Sequence, residues 1–265
     1  LKPLWYRLRS TYFLPCRLYE YKEFLRACVS HGYKMHLLIS FWRLVSSKTS
    51  ILDGRYIILR HDIDSDVSTA KKMWIIEQEL GVQLSFYFRL CTFDFNLMRS
   101  IEQSGSEAGY HYEELATFAK QHGIRRPEEL SSFMPEIQHN FVRNIRMLRQ
   151  QSGVPIASVA SHGDFANRYL GVANQVLLES NKLRKSLDME VEAYDASLMA
   201  SVTSRCSDAQ YPAWWKPYNP LEAVQRLDPV IYILIHPGLW ERNRIELFRQ
   251  DVSRLIEGIK YHLSK

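Results

Sequence analysis

The run Arg60-His61-Asp62-Ile63-Asp64 closes an apolar stretch, Tyr56-Ile57-Ile58-Leu59, with two carboxylates spaced two apart. Alternate side chains on a strand share a face, so Arg60, Asp62 and Asp64 project to one side if the strand continues, and both carboxylates can face one ion. Three imidazoles hold matching positions: His111 ends Ser106 to Tyr110, His162 ends Ile156 to Ser161, and His236 ends Val230 to Ile235. Taken singly, a strand-end aspartate is often a helix cap and a strand-end histidine is more often structural than a ligand. Their joint occurrence points instead to a divalent metal site, with zinc the first choice and iron, cobalt or nickel also suited to imidazole and carboxylate. An ion in such a site activates water and polarises a carbonyl, which is the chemistry of a metal-dependent hydrolase.

Those residues need a scaffold that brings distant strand ends together. Short apolar runs alternate with helical patterns along the chain, which predicts an α/β architecture with a mainly parallel sheet. Strands are expected at Tyr33 to Ile39, Arg55 to His61, Leu84 to Phe88, Ser106 to His111, Ile156 to His162, a pair around Lys185 to Tyr194 and Ala200 to Cys206, and Val230 to His236. Ser65-Asp66 can cap a helix in which Val67, Ala70, Met73, Trp74, Ile76 and Leu80 repeat until Gly81. Further helices are expected at Pro127 to Gln151, at Leu221 to Leu227 behind the cap Asn219-Pro220, and at Ile245 to Leu263. This number of strands favours a deformed (β/α) barrel of about seven parallel strands, TIM-barrel-like, whose strand-end loops converge on one mouth. Residues 1–265 are read as a single domain, with 1–50 an N-terminal helix and strand extension. No G-x-G-x-x-G or G-x-x-x-x-G-K motif is present, so a nucleotide cofactor has no support.

The order of motifs resembles the polysaccharide deacetylase family, over roughly residues 55 to 240. Tyr56 to Asp64 stands where that family has a strand ending in two aspartates; Gly109-Tyr110-His111-Tyr112-Glu113-Glu114 looks like its G-x-H motif. Ala160-Ser161-His162-Gly163-Asp164 corresponds in position to its third motif, and Ile233-Leu234-Ile235-His236-Pro237 matches its last. A weaker match is the polar turn at Leu187-Asp188-Met189-Glu190. The resemblance implies a deformed barrel and a divalent metal used to hydrolyse N-acetyl groups on sugars. It assigns Asp62 as general base, Asp64 and His111 as metal ligands and His236 as catalytic acid.

Three departures shape the expected site. The family's adjacent aspartates are here separated by one residue. Its second metal histidine would fall at Leu115, which binds no metal; His162 is the first choice to replace it and Glu113 the second, with a substrate contact as Glu113's other use. The arginine that orients the base in the family has no counterpart beside His162, and Arg60, two residues before Asp62, is the expected substitute. Trp240, with Trp214 or Trp215, is expected to stack on a sugar ring.

Composition narrows the partners. The chain of 265 residues is 46% hydrophobic and 24% charged, enough to bury a sizeable core. Its net charge of +5, from 34 basic and 29 acidic residues without a block of like charge, argues against a nucleic-acid arm. Cys16, Cys28, Cys91 and Cys206 form no C-x-x-C pair, which fits reduced thiols. No transmembrane run and no leader are read, so a cytoplasmic protein acting on a precursor is expected. The aromatic and arginine-rich segment Trp5 to Leu44 is expected to pack on the barrel rather than lie on a membrane. His31, His36, His122, His139 and His262 lack ligand spacing. The leading expectation is removal of an N-acyl group, acetyl first, from an amino sugar of a surface polysaccharide. The competing ones are a small-molecule amidohydrolase and a non-catalytic saccharide-binding relative, which Leu115 would favour.

Overall fold

The computed structural model describes residues 15–47, 54–241 and 244–263. Its elements alternate between strand and helix: α1 (Leu18–Ser30), β1 (Tyr33–His36), α2 (Leu38–Ser46), β2 (Arg55–Ile63), α3 (Val67–Leu80), β3 (Ser85–Phe88), α4 (Phe95–Gln103) and β4 (Glu107–Tyr112). They continue with α5 (Glu114–His122), α6 (Pro127–Ser152), β5 (Ser158–Ser161), α7 (Phe165–Leu170), α8 (Asn181–Ser186), β6 (Val191–Glu192) and α9 (Ala196–Met199). The last are β7 (Ser204–Asp208), β8 (Trp215–Lys216), α10 (Pro220–Gln225), β9 (Val230–Ile235) and α11 (Arg244–Leu263). One sheet runs β6-β5-β4-β3-β2-β9-β7-β8, and β1 pairs with the first half of β2. Every pairing is parallel except that of β7 with β8.

The sheet curls into a half-barrel. Tyr56 and Ile58 of β2, Tyr87 of β3, Ala160 of β5 and Tyr232 of β9 meet in one buried cluster, although β5 and β9 are four strands apart in the sheet order. Tyr232 Oη donates to Ala193 O at 3.0 Å, tying β9 to the chain just beyond the far edge strand β6. The expected deformed barrel is thus an open, curled parallel sheet flanked by helices, with the antiparallel β8 added at one edge.

Strand parity decides what each side chain meets. Ile57, Leu59 and Ile63 face the helices, where Ile57 and Leu59 join Tyr21, Leu25, Met73 and Ile233. Tyr56, Ile58, Arg60 and Asp62 face the hollow of the sheet. His61 has the helix-facing parity: it stacks on Phe86 at 4.1 Å, its Nδ1 lies 3.1 Å from Ser85 O, and its Nε2 lies 2.9 Å from Tyr21 Oη and 3.1 Å from Glu77 Oε1. It belongs to the core. In β4, Gly109 faces the hollow, and a Cβ there would come within 2.4 Å of the Tyr87 ring and 3.0 Å of Ser158 O. Glycine at this position lets that ring lie across the hollow beneath His111.

Helix ends follow the expected chemistry. Asp66 caps α3 through bonds from Thr69 N at 3.1 Å and Thr69 Oγ1 at 2.7 Å, and Gly81 ends the helix in the left-handed region at φ 66°. The strand expected from Lys185 to Tyr194 differs: Lys185 lies in α8, and β6 is only Val191–Glu192. Arg184 accounts for this, because its guanidinium grips Asp195 through two bonds of 2.6 Å and Leu178 O at 2.6 Å, folding the segment back on itself. Of the segment Trp5 to Leu44, residues 5–14 lie outside the described residues; within the rest, α1 buries Tyr21, Phe24, Leu25 and Cys28 against the sheet. The four cysteines are free, and no helix among the described residues is long and apolar enough to cross a membrane.

Candidate active site

Sheet order sets the site out as an arc. His162 follows β5, His111 is on β4, Asp62 and Asp64 stand at the end of β2, His236 follows β9, and Asp208 ends β7. The aspartates therefore sit between the paired imidazoles on one side and His236 on the other. Asp62 is the last hollow-facing residue of β2 before the chain turns, with Asp64 N bonded to Asp62 O at 3.0 Å. The strand stops at Ile63, so the condition for a shared face is not met; the turn carries the Asp64 carboxylate over the strand ends to both imidazoles.

Asp64 Oδ1 lies 3.3 Å from His111 Nε2 and 3.3 Å from His162 Nε2. The two rings stand nearly perpendicular, at 83°, with centroids 5.0 Å apart. Metal bonds of about 2.0–2.1 Å in tetrahedral geometry put neighbouring ligand atoms about 3.3–3.4 Å apart, so these separations suit one shared ion. The hydrogen placement agrees. His111 Nδ1 lies 2.9 Å from Ala160 O, and a carbonyl only accepts, so Nδ1 carries a hydrogen and Nε2 is the ring nitrogen turned toward the carboxylates. Asp64 Oδ1 is buried and has no hydrogen-bond partner. The three groups form a set that could hold a metal ion, which would give the orphaned oxygen a partner. Burial alone would raise the Asp64 carboxyl, but His162, His111 and the more distant His236 hold it well below the usual carboxylate range.

A second grouping, Glu113, His162 and Asp164, is satisfied in another way. Arg89 grips Glu113 through bonds of 2.7 to 3.0 Å, and Lys120 lies 2.9 Å from Asp164, whose other oxygen caps α7 through Ala166 N. Both carboxylates already have cations. Glu113 Oε2 comes within 3.5 Å of His162 Nδ1, the ring nitrogen facing away from Asp64. Leu115, at the position of the family's second histidine, is fully buried in the core under α5.

Arg60 is fully buried, with Nη2 3.2 Å from Asp62 Oδ2 and bonded also to the Tyr194 hydroxyl. Its Cζ lies 4.3 Å from the centroid of the Tyr194 ring and 5.7 Å from that of Tyr232. Burial works against the guanidinium charge, and Asp62 with the two tyrosines more than restores it. The pairing expected of Arg60 and Asp62 is present. Asp62 Oδ2 is 3.5 Å from His111 Nε2, while Oδ1 is buried without a partner.

Asp208 was not among the residues picked out by motif. Its Oδ1 lies 2.6 Å from His236 Nδ1, and its Oδ2 accepts from His236 N and from Trp240 Nε1, each at 2.8 Å. Burial opposes the imidazolium, yet Asp208, followed by Asp64 and Asp62, raises His236 to about 9. The available signal was an acid ending the strand beside the His236 strand. That strand reads Ser204-Arg205-Cys206-Ser207-Asp208, without the apolar run that marks its neighbours.

Trp240, expected from the sequence to stack on a sugar ring, is not placed to do so. It is 2% exposed and packs against Tyr21 and Trp215, with the Arg17 guanidinium 4.7 Å from its ring centroid. No face is open for a sugar, and its indole serves by holding Asp208. Trp215 is half-buried in the same cluster, and Arg17 lies 3.8 Å from the Trp214 centroid.

No protein-family model matches the chain, and no curated protein matches it in sequence. Among solved structures, it is similar to a Streptococcus pyogenes deacetylase, PplD, in complex with acetate, at 13% identity and a TM-score of 0.42, over 63% of this chain and 67% of that one. So slight an overlap carries neither fold nor activity across.

Proposed function

We propose that the protein is a metal-dependent hydrolase that removes an N-acyl group, acetyl first, from an amino sugar of a surface polysaccharide or its precursor. The observation that carries this reading is the convergence of Asp64 Oδ1, His111 Nε2 and His162 Nε2 at 3.3 Å separations, beside a carboxylate locked to an arginine. Asp64, His111 and His162 would hold one divalent ion, zinc by donor chemistry, which would polarise the acyl oxygen and lower the pKa of water toward neutrality.

The chain's own groups supply the rest. Asp62, fixed by Arg60, accepts a proton as the water oxygen bonds to the acyl carbon. His236, held protonated by Asp208, gives its proton to the amide nitrogen as the carbon–nitrogen bond breaks. The products are a carboxylate and a free amine. Arg60 cannot deprotonate in the working range, so it orients the base without competing for the proton.

The test is acetate release from N-acetylated amino-sugar oligomers by the zinc-loaded protein. Release should stop with a chelator, return with zinc, and be abolished in Asp62→Asn while zinc still binds. Full activity of Asp62→Asn would remove the base assignment, and a wild-type protein that binds no divalent ion would favour the saccharide-binding reading.

A further inference from the structure

Tyr194 stands just beyond β6, half-buried, with its hydroxyl against Arg60 Nη2. The same nitrogen is 3.2 Å from Asp62 Oδ2, so the phenol and the carboxylate flank one guanidinium. Asp62 Oδ2 in turn lies 3.5 Å from His111 Nε2, so only the Arg60 guanidinium separates Tyr194 from the carboxylate of the candidate site. Guanidinium groups donate and never accept, so Tyr194 Oη accepts from Arg60 and its own hydrogen must point elsewhere. Among the described residues, no acceptor takes it.

The neighbouring phenols differ. Tyr232 donates to Ala193 O at 3.0 Å; Tyr87 Oη lies 2.9 Å from Ser158 Oγ, whose own hydrogen goes to Glu107. Burial raises the Tyr194 phenol above its ordinary value, so it keeps its hydrogen at neutral pH. Accepting from a cation polarises the O–H bond and makes it a stronger donor. The open donor therefore sits on the Arg60 flank of Asp62.

We propose that Tyr194 Oη–H is a catalytic hydrogen-bond donor to the acyl oxygen of the bound amide, activated by Arg60 and engaged most strongly as negative charge builds on that oxygen. This rests on the hydrolase reading above. The water held at Asp62 attacks the acyl carbon, and the acyl oxygen is one bond from that carbon. The leaving nitrogen belongs to His236, so the Arg60 flank is left for the oxygen. A donor aimed at developing charge acts on turnover more than on binding.

Tyr194→Phe tests this, since the ring that lies under Arg60 remains. In the zinc-loaded full chain, kcat for acetate release should fall by about 100-fold while KM stays within about threefold, at unchanged zinc affinity. A second readout needs no turnover: methylphosphonate carries oxyanion charge on a tetrahedral centre, whereas acetate is planar. Tyr194→Phe should weaken methylphosphonate binding by about tenfold or more and acetate binding by less than about threefold. Equal loss of both probes would reduce Tyr194 to a support for Arg60 and overturn the proposal, as would an unchanged kcat. Should the wild type release no acetate, the hydrolase reading falls and the catalytic role of Tyr194 falls with it. An active wild type with an indifferent Tyr194→Phe sinks the donor alone.

Discussion

His236 Nδ1 lies 2.6 Å from Asp208 Oδ1, and the other oxygen of the same carboxylate is tied to Trp240 Nε1 at 2.8 Å. A buried indole thus fixes the acid that holds the imidazole, and among the described residues nothing bonds to its Nε2. This clamp links the end of β7 to the loop after β9. It explains how a histidine with an ordinary value of 6.5 is raised to about 9.

Asp208→Asn should therefore move the alkaline limb of the pH–rate profile downward, toward the ordinary histidine value. In the wild type, the protonated acid is lost as pH rises through about 9. The folded-state value lies above the unfolded one, so the clamp's contribution to stability is complete below pH 6.5 and fades as pH rises through about 9. Urea unfolding between pH 6 and 10 should show this decline in the wild type and a flatter curve in Asp208→Asn. An alkaline limb that stays in place would detach Asp208 from His236.

Asp64→Ala should remove the shared oxygen and, with it, zinc binding. Zinc at about 100 times its dissociation constant should stabilise the wild type by about 2.7 kcal/mol. Thermal unfolding with and without zinc should show that gain in the wild type and none in Asp64→Ala. Persistence of the shift in Asp64→Ala would place the ion elsewhere.

Leu115→His would place an imidazole where the sequence resemblance implies one, but the Leu115 side chain is fully buried in an apolar cluster. Burying an imidazole there without a partner should cost about 1–3 kcal/mol, read from the urea midpoint, without tightening zinc binding. Tighter zinc binding would show that α5 can present a ligand to the site.

Arg60→Met leaves Asp62 buried without its cation. The expected loss is about 3–5 kcal/mol of stability, measured by denaturant unfolding at neutral pH. If Arg60→Met unfolds with the wild-type midpoint, the pair orients the base without supporting the fold.

Gly109→Ala tests the hollow of the half-barrel. The added methyl meets the Tyr87 ring at 2.4 Å, and overpacking of this kind costs about 1–3 kcal/mol. A lowered melting temperature is expected; an unchanged one would mean the Tyr87 ring moves aside freely.

Much of the scaffold was legible because apolar strands and capped helices are local patterns. Asp66 and Gly81 bound α3 as their types require, and the alternation along Tyr56 to Asp62 sets one face toward helices and one toward the hollow. His111 and His162 were also readable as strand-end residues, since each closes a short run between helical patterns. Asp208 was not, because Ser204 to Ser207 lack that run and an isolated aspartate carries no sign of its partner. Trp240 looked available for a ligand, as an aromatic after Pro237-Gly238 does, yet its indole faces are covered by residues from α1 and β8.

The sequence by itself determined the kinds of donor and the strand ends that carry them, because side-chain chemistry and strand periodicity depend on neighbours along the chain. The tertiary structure decided which donors share a space. The curl of the sheet and the turn at Asp62 bring Asp64 to His111 and His162, leave Leu115 in the core, and join Arg60 to Tyr194 and His236 to Asp208. Those distances depend on packing between residues up to 134 positions apart, which no local pattern encodes.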